Sequence, residues 1–196
     1  GELSVRRFQV YVIQDAYFLE AFARAYALAL AKSPDREGVA VFKDLLVGVF
    51  EELTLHEGYA RRWGVSLEPE PLPSTSTYCD FLLRTASLEP VGHTAAAMAP
   101  CMRLYAFLGQ QLAPKLNPQS PYHEWVETYA NADTESLASR LEALSIATAA
   151  NPSAWRGSTG APWSSSSPSS RRLGTPHEGE GPDRGQRPAV ARCDPP

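Results

Sequence analysis

The chain has 196 residues and a mass of 21.4 kDa, enough for one ordinary domain or for a smaller domain with a tail. Its net charge of −4 and pI near 5.6 exclude the basic surface typical of proteins that bind nucleic acid or acidic membranes. No apolar run approaches the roughly 18–20 residues of a membrane span, and no basic segment followed by an apolar one indicates a signal peptide.

Apolar residues recur at helical spacing through residues 1–150, and no sustained alternation indicates strands. The pattern, with its proline and glycine stops, predicts six helices. In chain order they are residues 5–31, ended by Ser33-Pro34; residues 35–63, ended by Gly64; a helix capped by Ser74 or Thr75 that turns Tyr78, Phe81 and Leu82 inward; residues 93–112, kinked at Pro100; a helix that begins at Pro121; and a weaker one capped by Asp133.

Short connections between these helices predict an all-α antiparallel bundle over residues 1–150. Residues 151–196 differ sharply, because 22 of these 46 residues are Pro, Gly or Ser. Such a composition predicts a disordered tail. A natural linker would explain it, although we favour a non-native terminus, from read-through or a shifted reading frame.

Three cysteines, Cys79, Cys101 and Cys193, are odd in number and far apart in the sequence. This spacing argues against a disulfide framework and indicates a reducing compartment. We therefore expect an intracellular protein, cytoplasmic or organellar, with any transit peptide lying before Gly1.

Asp15 lies on the apolar stripe of the first helix, with Tyr11 and Leu19 one turn away on either side. A buried carboxylate needs partners or must take up a proton. Two interpretations follow. Asp15 is a core carboxylate satisfied by tyrosine hydroxyls, or it binds the amino group of a ligand inside the bundle.

His56 lies on the stripe of the second helix, and Glu52 precedes it by one turn on the same face. The pair could ligate a metal, but di-iron bundles use a Glu-x-x-His motif from each of two helices, and this sequence has neither. We favour a core histidine held by a neighbouring carboxylate.

Cys101 lies one turn before Tyr105 on the inward face of the fourth helix. A free cysteine is often only a small buried apolar group, and it becomes a nucleophile where its thiolate is stabilised. Arg103 is expected to point away from that face.

Five tyrosines can face inward: Tyr11, Tyr17, Tyr78, Tyr105 and Tyr129. Aromatic stripes usually form core, yet each buried phenol needs a hydrogen-bond partner. Phenols, a carboxylate and a thiol together suit a flat, nitrogen-rich heteroaromatic ring. Motifs for phosphate loops, esterases and zinc sites are absent from the sequence.

Five segments match, in order and spacing, those of the TenA/thiaminase II family, which the sequence therefore resembles. They are VIQDAYFLEAFARAYALA from Val12, EELTLHEGYARRWGV from Glu51, STYCDFLLRTA from Ser76, APCMRLYAFLG from Ala99 and PYHEWVETYA from Pro121. The fourth is most similar to the TenA module of plant-type proteins that also carry a phosphatase domain.

This resemblance implies a haem oxygenase-like all-α fold without haem, a homotetramer, and an enzyme that needs no cofactor or metal. It implies hydrolysis of a thiamine breakdown product, in which an aminomethyl aminopyrimidine becomes the hydroxymethyl pyrimidine and ammonia is released. Cleavage of thiamine itself is a further activity of the family. The implied partner is a small aminopyrimidine, with no nucleic acid or membrane.

The family's site residues carry over position by position. Cys101 matches the nucleophile that adds to the pyrimidine ring. Asp15 matches the carboxylate that binds the pyrimidine amino group and ring nitrogen. The remaining positions line the pocket: Phe18, where many members carry tyrosine, and Tyr78, Tyr105 and Tyr129.

The sequence also departs from the family pattern. The family's first helix would precede Gly1. Its last helix, which carries a glutamate that acts on the pyrimidine, would follow residue 150. Glu178 and Glu180 lie beside glycines, and we assign that role to neither. We therefore expect an incomplete bundle, severely reduced turnover, and an exposed apolar face that favours association.

Three hypotheses follow from the sequence. The first is an aminopyrimidine hydrolase of the thiaminase II type. The second is a catalytically impaired pyrimidine-binding or scaffold remnant that lacks the terminal helices. The third is an oxygenase that uses metal or haem on the same fold. Haem is disfavoured because no histidine precedes His56.

Overall fold

The computed structural model describes residues 3–68 and 70–150, and within these ranges all regular secondary structure is helical. The predicted tail at residues 151–196 lies outside the described residues. The helices are α1 (Val5–Lys32), α2 (Arg36–Trp63), α3 (Pro73–Leu88), α4 (Val91–Leu112), α5 (His123–Ala130) and α6 (Ala132–Ala150), with a 3₁₀ turn at Ala113–Lys115.

The two long N-terminal helices end where the sequence predicts. Ser33 follows α1 in an extended conformation, and the Asp35 side chain caps α2 by accepting a hydrogen bond from the Gly38 amide at 2.8 Å. Gly64 ends α2 with φ of 63°, a left-handed conformation that glycine adopts without strain. The three-residue connection between α1 and α2 folds them into an antiparallel hairpin.

The starts of α3, α4, α5 and α6 differ from the prediction, and α4 begins at Val91, two residues earlier than predicted. α3 begins at Pro73, not after Ser74 or Thr75, because proline fits the first helical position. α5 begins at His123, since Pro121 lies in the turn that the His123 amide closes onto the Ser120 carbonyl.

The cap of α6 is Asn131, not Asp133. The Asn131 side-chain oxygen accepts a hydrogen bond from the Thr134 amide at 2.7 Å. The predicted weak helix is continuous to Ala150 and buries Ala138, Leu141 and Leu144. α4 also continues through Pro100.

Helices α1 and α4 organise the bundle. α1 packs against α2 and α3, and α4 packs against α5 and α6. Large side chains from five helices form one core. Burial of this apolar surface stabilises the fold by roughly 25 cal/mol for each Å² removed from water. Phe81, predicted to face inward, is instead 51% exposed. None of the described helices combines the length and the apolar character needed to cross a membrane.

Asp15, His56 and Thr94 are the polar residues buried among the described part of the chain. Two of them, Asp15 on α1 and His56 on α2, face each other across the first hairpin. The fold thus places polar groups where aliphatic side chains would pack without desolvation cost, and these groups mark the site.

Candidate active site

A cavity of about 330 Å³ opens beside the paired polar groups, and we call it the central cavity. This volume lies within the range of small-molecule sites. Its walls come from α1, α2 and α4, from the end of α5 and from the start of α6. The residues that concern the chemistry are Asp15, Phe18, Tyr26, Glu52, Cys101, Tyr105 and Tyr129.

A second cavity of about 480 Å³, the adjoining cavity, shares Asp15, Phe18, Cys101 and Tyr105 with the first and adds Tyr78. The Phe18 and Tyr78 rings stack at 5.3 Å between centroids and 13° between planes. The structure therefore brings all six predicted site residues to two cavities that share a wall. What each residue does there remains a prediction.

Among the described residues, Asp15 has two hydrogen-bond partners, and both contact Oδ2. The Tyr11 hydroxyl donates to it at 2.8 Å, and His56 Nε2 lies 3.0 Å away. Trp125 Nε1 in turn donates to the Tyr11 oxygen at 3.1 Å. These partners fix the carboxylate at the cavity wall, and they leave Oδ1 available to a ligand.

His56 is fully buried, and both of its ring nitrogens face oxygen atoms. Nδ1 lies 2.9 Å from the Glu52 main-chain oxygen, which can only accept, so Nδ1 carries a hydrogen. The contact between Nε2 and Asp15 holds one further proton, on the imidazole or on the carboxyl group. The structure has the expected core histidine held by a carboxylate, and that carboxylate is Asp15 on α1. Glu52, one turn before His56, contributes its main-chain oxygen to the ring and not its carboxylate.

The Glu52 carboxyl group is directed elsewhere, to the Tyr129 hydroxyl, which donates a hydrogen bond to it. Burial, and secondarily the negative charge of Asp15, raises the pKa of Glu52 well above its usual value of 4.5. Glu52 therefore favours the neutral acid. Sequence reasoning considered Glu52 only as a metal ligand or a support for His56, although its position on the His56 face was the available signal.

One ligand atom from each of Asp15, Glu52 and His56 lies within 4.8 Å of the other two. This spacing would suit a metal ion. In this structure, however, the same groups bond to one another and to Tyr11 and Tyr129. A metal would have to displace the proton shared by His56 and Asp15, so the cluster is better described as a hydrogen-bond network.

Cys101 lies in the wall common to both cavities. Burial raises its pKa to about 12, and the nearby carboxylates of Asp15 and Glu52 add to the effect. The thiol is therefore neutral in the free protein. Arg103 points away, as expected, and pairs with Glu135 and Glu142 on α6 at 2.7 and 2.8 Å, so it offers no cation to the thiol.

Four of the five predicted tyrosines contribute to the site or its support. Tyr105 and Tyr129 pack with 4.8 Å between ring centroids, and the Tyr105 ring lies 6.5 Å from that of Tyr11. Tyr17 is the exception: it is 36% exposed and lines neither cavity, because it lies on the outer face of α1.

Comparison with known proteins gives consistent findings. Residues 1–153 match the model of the TENA/THI-4/PQQC family. The chain is 32% identical to the mitochondrial bifunctional TH2 protein of Arabidopsis thaliana, over 74% of this chain and 27% of that protein. It is also 32% identical to the aminopyrimidine aminohydrolase of Halalkalibacterium halodurans, over 72% of this chain and 66% of that one.

Among solved structures, a TenA family transcription regulator from Silicibacter sp. TM1040 superposes with a TM-score of 0.67. It shares 27% sequence identity over 74% of this chain and 66% of that chain. The chain thus spans about two thirds of the Halalkalibacterium halodurans protein and about a quarter of the plant protein.

Proposed function

Since the chain belongs to the TENA/THI-4/PQQC family, we propose that it hydrolyses an aminopyrimidine fragment of thiamine. The reaction exchanges the amine on the exocyclic methylene carbon for a hydroxyl group and releases ammonia. The observation that carries the proposal is that Cys101 and Asp15, a potential nucleophile and a potential amino-group acceptor, line the same cavity. Relatives named aminopyrimidine aminohydrolase support the substrate class.

The binding step uses the fixed carboxylate and the aromatic walls. Asp15 Oδ1 accepts a hydrogen bond from the ring amino group, while Tyr11 and His56 hold Oδ2 in place. The ring packs against the aromatic side chains of Phe18 and Tyr105, which line both cavities. Replacement of tyrosine by Phe18 keeps this stacking and removes one hydroxyl contact.

The covalent step is an addition to the ring followed by elimination. The Cys101 sulfur bonds to a ring carbon of a C=N group, and the thiol proton passes to the ring nitrogen. The ring then expels ammonia as the exocyclic C–N bond breaks. Water adds its hydroxyl to the methylene carbon and gives its proton to the group that protonated the amine, and the sulfur leaves with the ring-nitrogen proton as aromaticity returns. The net change is one amine and one water converted to one alcohol and one ammonia.

The departing amine needs a proton, and Glu52 is suited to supply it. Burial raises the pKa of its carboxyl group and so favours the protonated form, and Glu52 lines the central cavity together with Cys101. General acids of this kind contribute roughly 10²–10⁴-fold to a rate.

Ammonia release from the aminomethyl aminopyrimidine tests the proposal. We expect turnover by the wild-type chain and none above background for Cys101→Ser. The matched control is Cys79→Ser, because Cys79 is buried in α3 and lines neither cavity. Equal rates for Cys101→Ser and the wild type would contradict the proposed nucleophile.

A second candidate function is binding of the pyrimidine without turnover, and the neutral Cys101 thiol favours it. Calorimetric titration with the hydroxymethyl pyrimidine separates the two. Binding with no ammonia release from the amine would support the binding function, whereas release that Cys101→Ser abolishes would exclude it.

A further inference from the structure

Tyr26 is a buried phenol in α1 that neither the fold nor the proposed reaction accounts for. It is 0% exposed, and its hydroxyl has no hydrogen-bond partner among the described residues. Buried hydroxyl groups are nearly always paired, and phenylalanine would fill the same space without that cost. The hydroxyl therefore calls for an explanation.

Tyr26 also lines the central cavity. Its ring is held on two sides, by Phe22 at 5.1 Å and Phe42 at 6.1 Å between centroids. Burial raises its pKa well above 10.0, and Cys101 and Glu52 line the same cavity. Tyr26 is thus a neutral hydrogen-bond donor, positioned by packing, near the two groups that the proposed reaction uses.

We propose that the Tyr26 hydroxyl donates a hydrogen bond to a ring nitrogen of the bound pyrimidine. The inference rests on the proposed function and deepens it, because it assigns a residue that selects the ring. A site with an otherwise unpaired donor discriminates strongly against analogues that lack the matching acceptor. Tyr26 would therefore favour a pyrimidine over a carbocyclic ring of the same shape.

Calorimetric titration of wild-type protein and Tyr26→Phe with the hydroxymethyl aminopyrimidine tests this assignment. A parallel titration uses its benzene counterpart, in which both ring nitrogens are replaced by CH. We expect Tyr26→Phe to weaken pyrimidine binding about tenfold and to leave binding of the benzene counterpart unchanged. Because the free hydroxyl has no partner among the described residues, we expect the variant to melt no lower than wild type.

Thr94→Val is the matched control. Thr94 is also buried with an unpartnered hydroxyl, but it lines neither the central nor the adjoining cavity. We expect this variant to bind both ligands as the wild type does.

The outcomes separate the inference from the proposed function. Equal pyrimidine binding by Tyr26→Phe and wild type would overturn the role of Tyr26 alone. So would a loss of pyrimidine affinity in Thr94→Val as large as that in Tyr26→Phe, or an equal loss of affinity of Tyr26→Phe for the benzene counterpart. Failure of the wild-type chain to bind the pyrimidine would overturn the proposed function, and the role of Tyr26 with it.

Discussion

At Cys101 the proposed chemistry and the electrostatics of the site oppose each other. Addition to a ring needs a sulfur that can give up its proton, yet burial and two carboxylates raise the pKa of this thiol to about 12. The conflict is resolved if the proton leaves as the bond forms, because the ring nitrogen becomes more basic as the ring accepts electrons. The substrate itself then takes the place of a general base.

This account predicts a protected thiol in the free protein. A pKa about three units above that of an exposed cysteine lowers the thiolate fraction about a thousandfold near neutral pH. We therefore expect alkylation of Cys101 by iodoacetamide to be slower by about that factor than in the unfolded chain, and to rise with pH. Peptide mass spectrometry resolves the site, and fast labelling at neutral pH would contradict the account.

At the residue scale, the sequence predicts the residues of the site more successfully than it predicts their hydrogen-bond partners. Asp15 is recognisable because a carboxylate on an apolar stripe needs hydrogen-bond partners. In the structure it is buried and accepts a hydrogen bond from the Tyr11 hydroxyl, as one interpretation expected. Its bond to His56 spans 41 residues along the chain. Helical spacing carries no information on such a contact, so the sequence predicts a neighbouring carboxylate for His56 without identifying it as Asp15.

At the scale of elements, the close approach of α4 and α5 positions Tyr129. A methyl group at Gly109 would overlap the main chain at Tyr129 and Ala130, so only glycine fits this crossing. α5 has just eight residues, and an isolated helix of that length is unstable in water. Its place therefore depends on packing against α4.

Gly109→Ala tests this dependence. Since the added methyl group must displace α5, we expect a loss of about 1–3 kcal/mol in the free energy of unfolding, together with weaker pyrimidine binding through Tyr129. Chemical denaturation measures the first effect and calorimetry the second.

The matched control is Gly58→Ala in α2, where a methyl group would meet no neighbouring atom within 4 Å. There we expect a gain of about 0.5–1 kcal/mol, because alanine favours a helix over glycine. Equal effects of the two substitutions would show that α4 and α5 do not meet at Gly109 as described.

The helix ends show which boundaries the sequence can predict and which it cannot. The ends of α1 and α2 follow from proline and glycine signals that act locally, and they were predicted correctly. The start of α6 was not. Both Asn131 and Asp133 can cap a helix, and the choice depends on Asn131 also donating to the Thr128 carbonyl of α5 at 2.7 Å.

At the scale of the whole molecule, stability depends on carboxyl groups that shift in opposite directions. The pKa of Glu52 is raised by burial, while hydrogen bonds to Arg103 lower the pKa values of Glu135 and Glu142. A raised pKa favours the folded state at low pH, and that contribution fades as the pH rises above 4.5, the usual value. The lowered pKa values of Glu135 and Glu142 stabilise the folded state at higher pH, and this stabilisation is lost as the pH falls through those lowered values.

Glu52→Gln isolates the first of these contributions. Glutamine does not titrate, so we expect the variant to lose less stability than wild type between pH ~5 and ~8. Denaturant midpoints across that range measure the difference, with Glu57→Gln, an exposed position on the same helix, as the control. If the stability of Glu52→Gln fell with pH as steeply as that of the wild type, the raised pKa of Glu52 would be contradicted.

The all-α bundle and the family predicted from five motifs are both confirmed at this scale. The predicted homotetramer, the disordered tail and the intracellular location remain predictions. Exposed apolar side chains at Phe50 and Phe107 are compatible with association, but their partner cannot be inferred from periodicity, because a buried face and an interface have the same pattern.

The claim on which the account depends is that one ring reaches both the thiol and the carboxylate. A crystal structure with the hydroxymethyl aminopyrimidine tests it most directly. We expect the ring in the central cavity, with its amino group on Asp15 and a ring carbon in contact with the Cys101 sulfur. Density for the ligand in the third cavity, beside Leu108, Leu112 and Trp125, with neither Asp15 nor Cys101 touched, would contradict this claim.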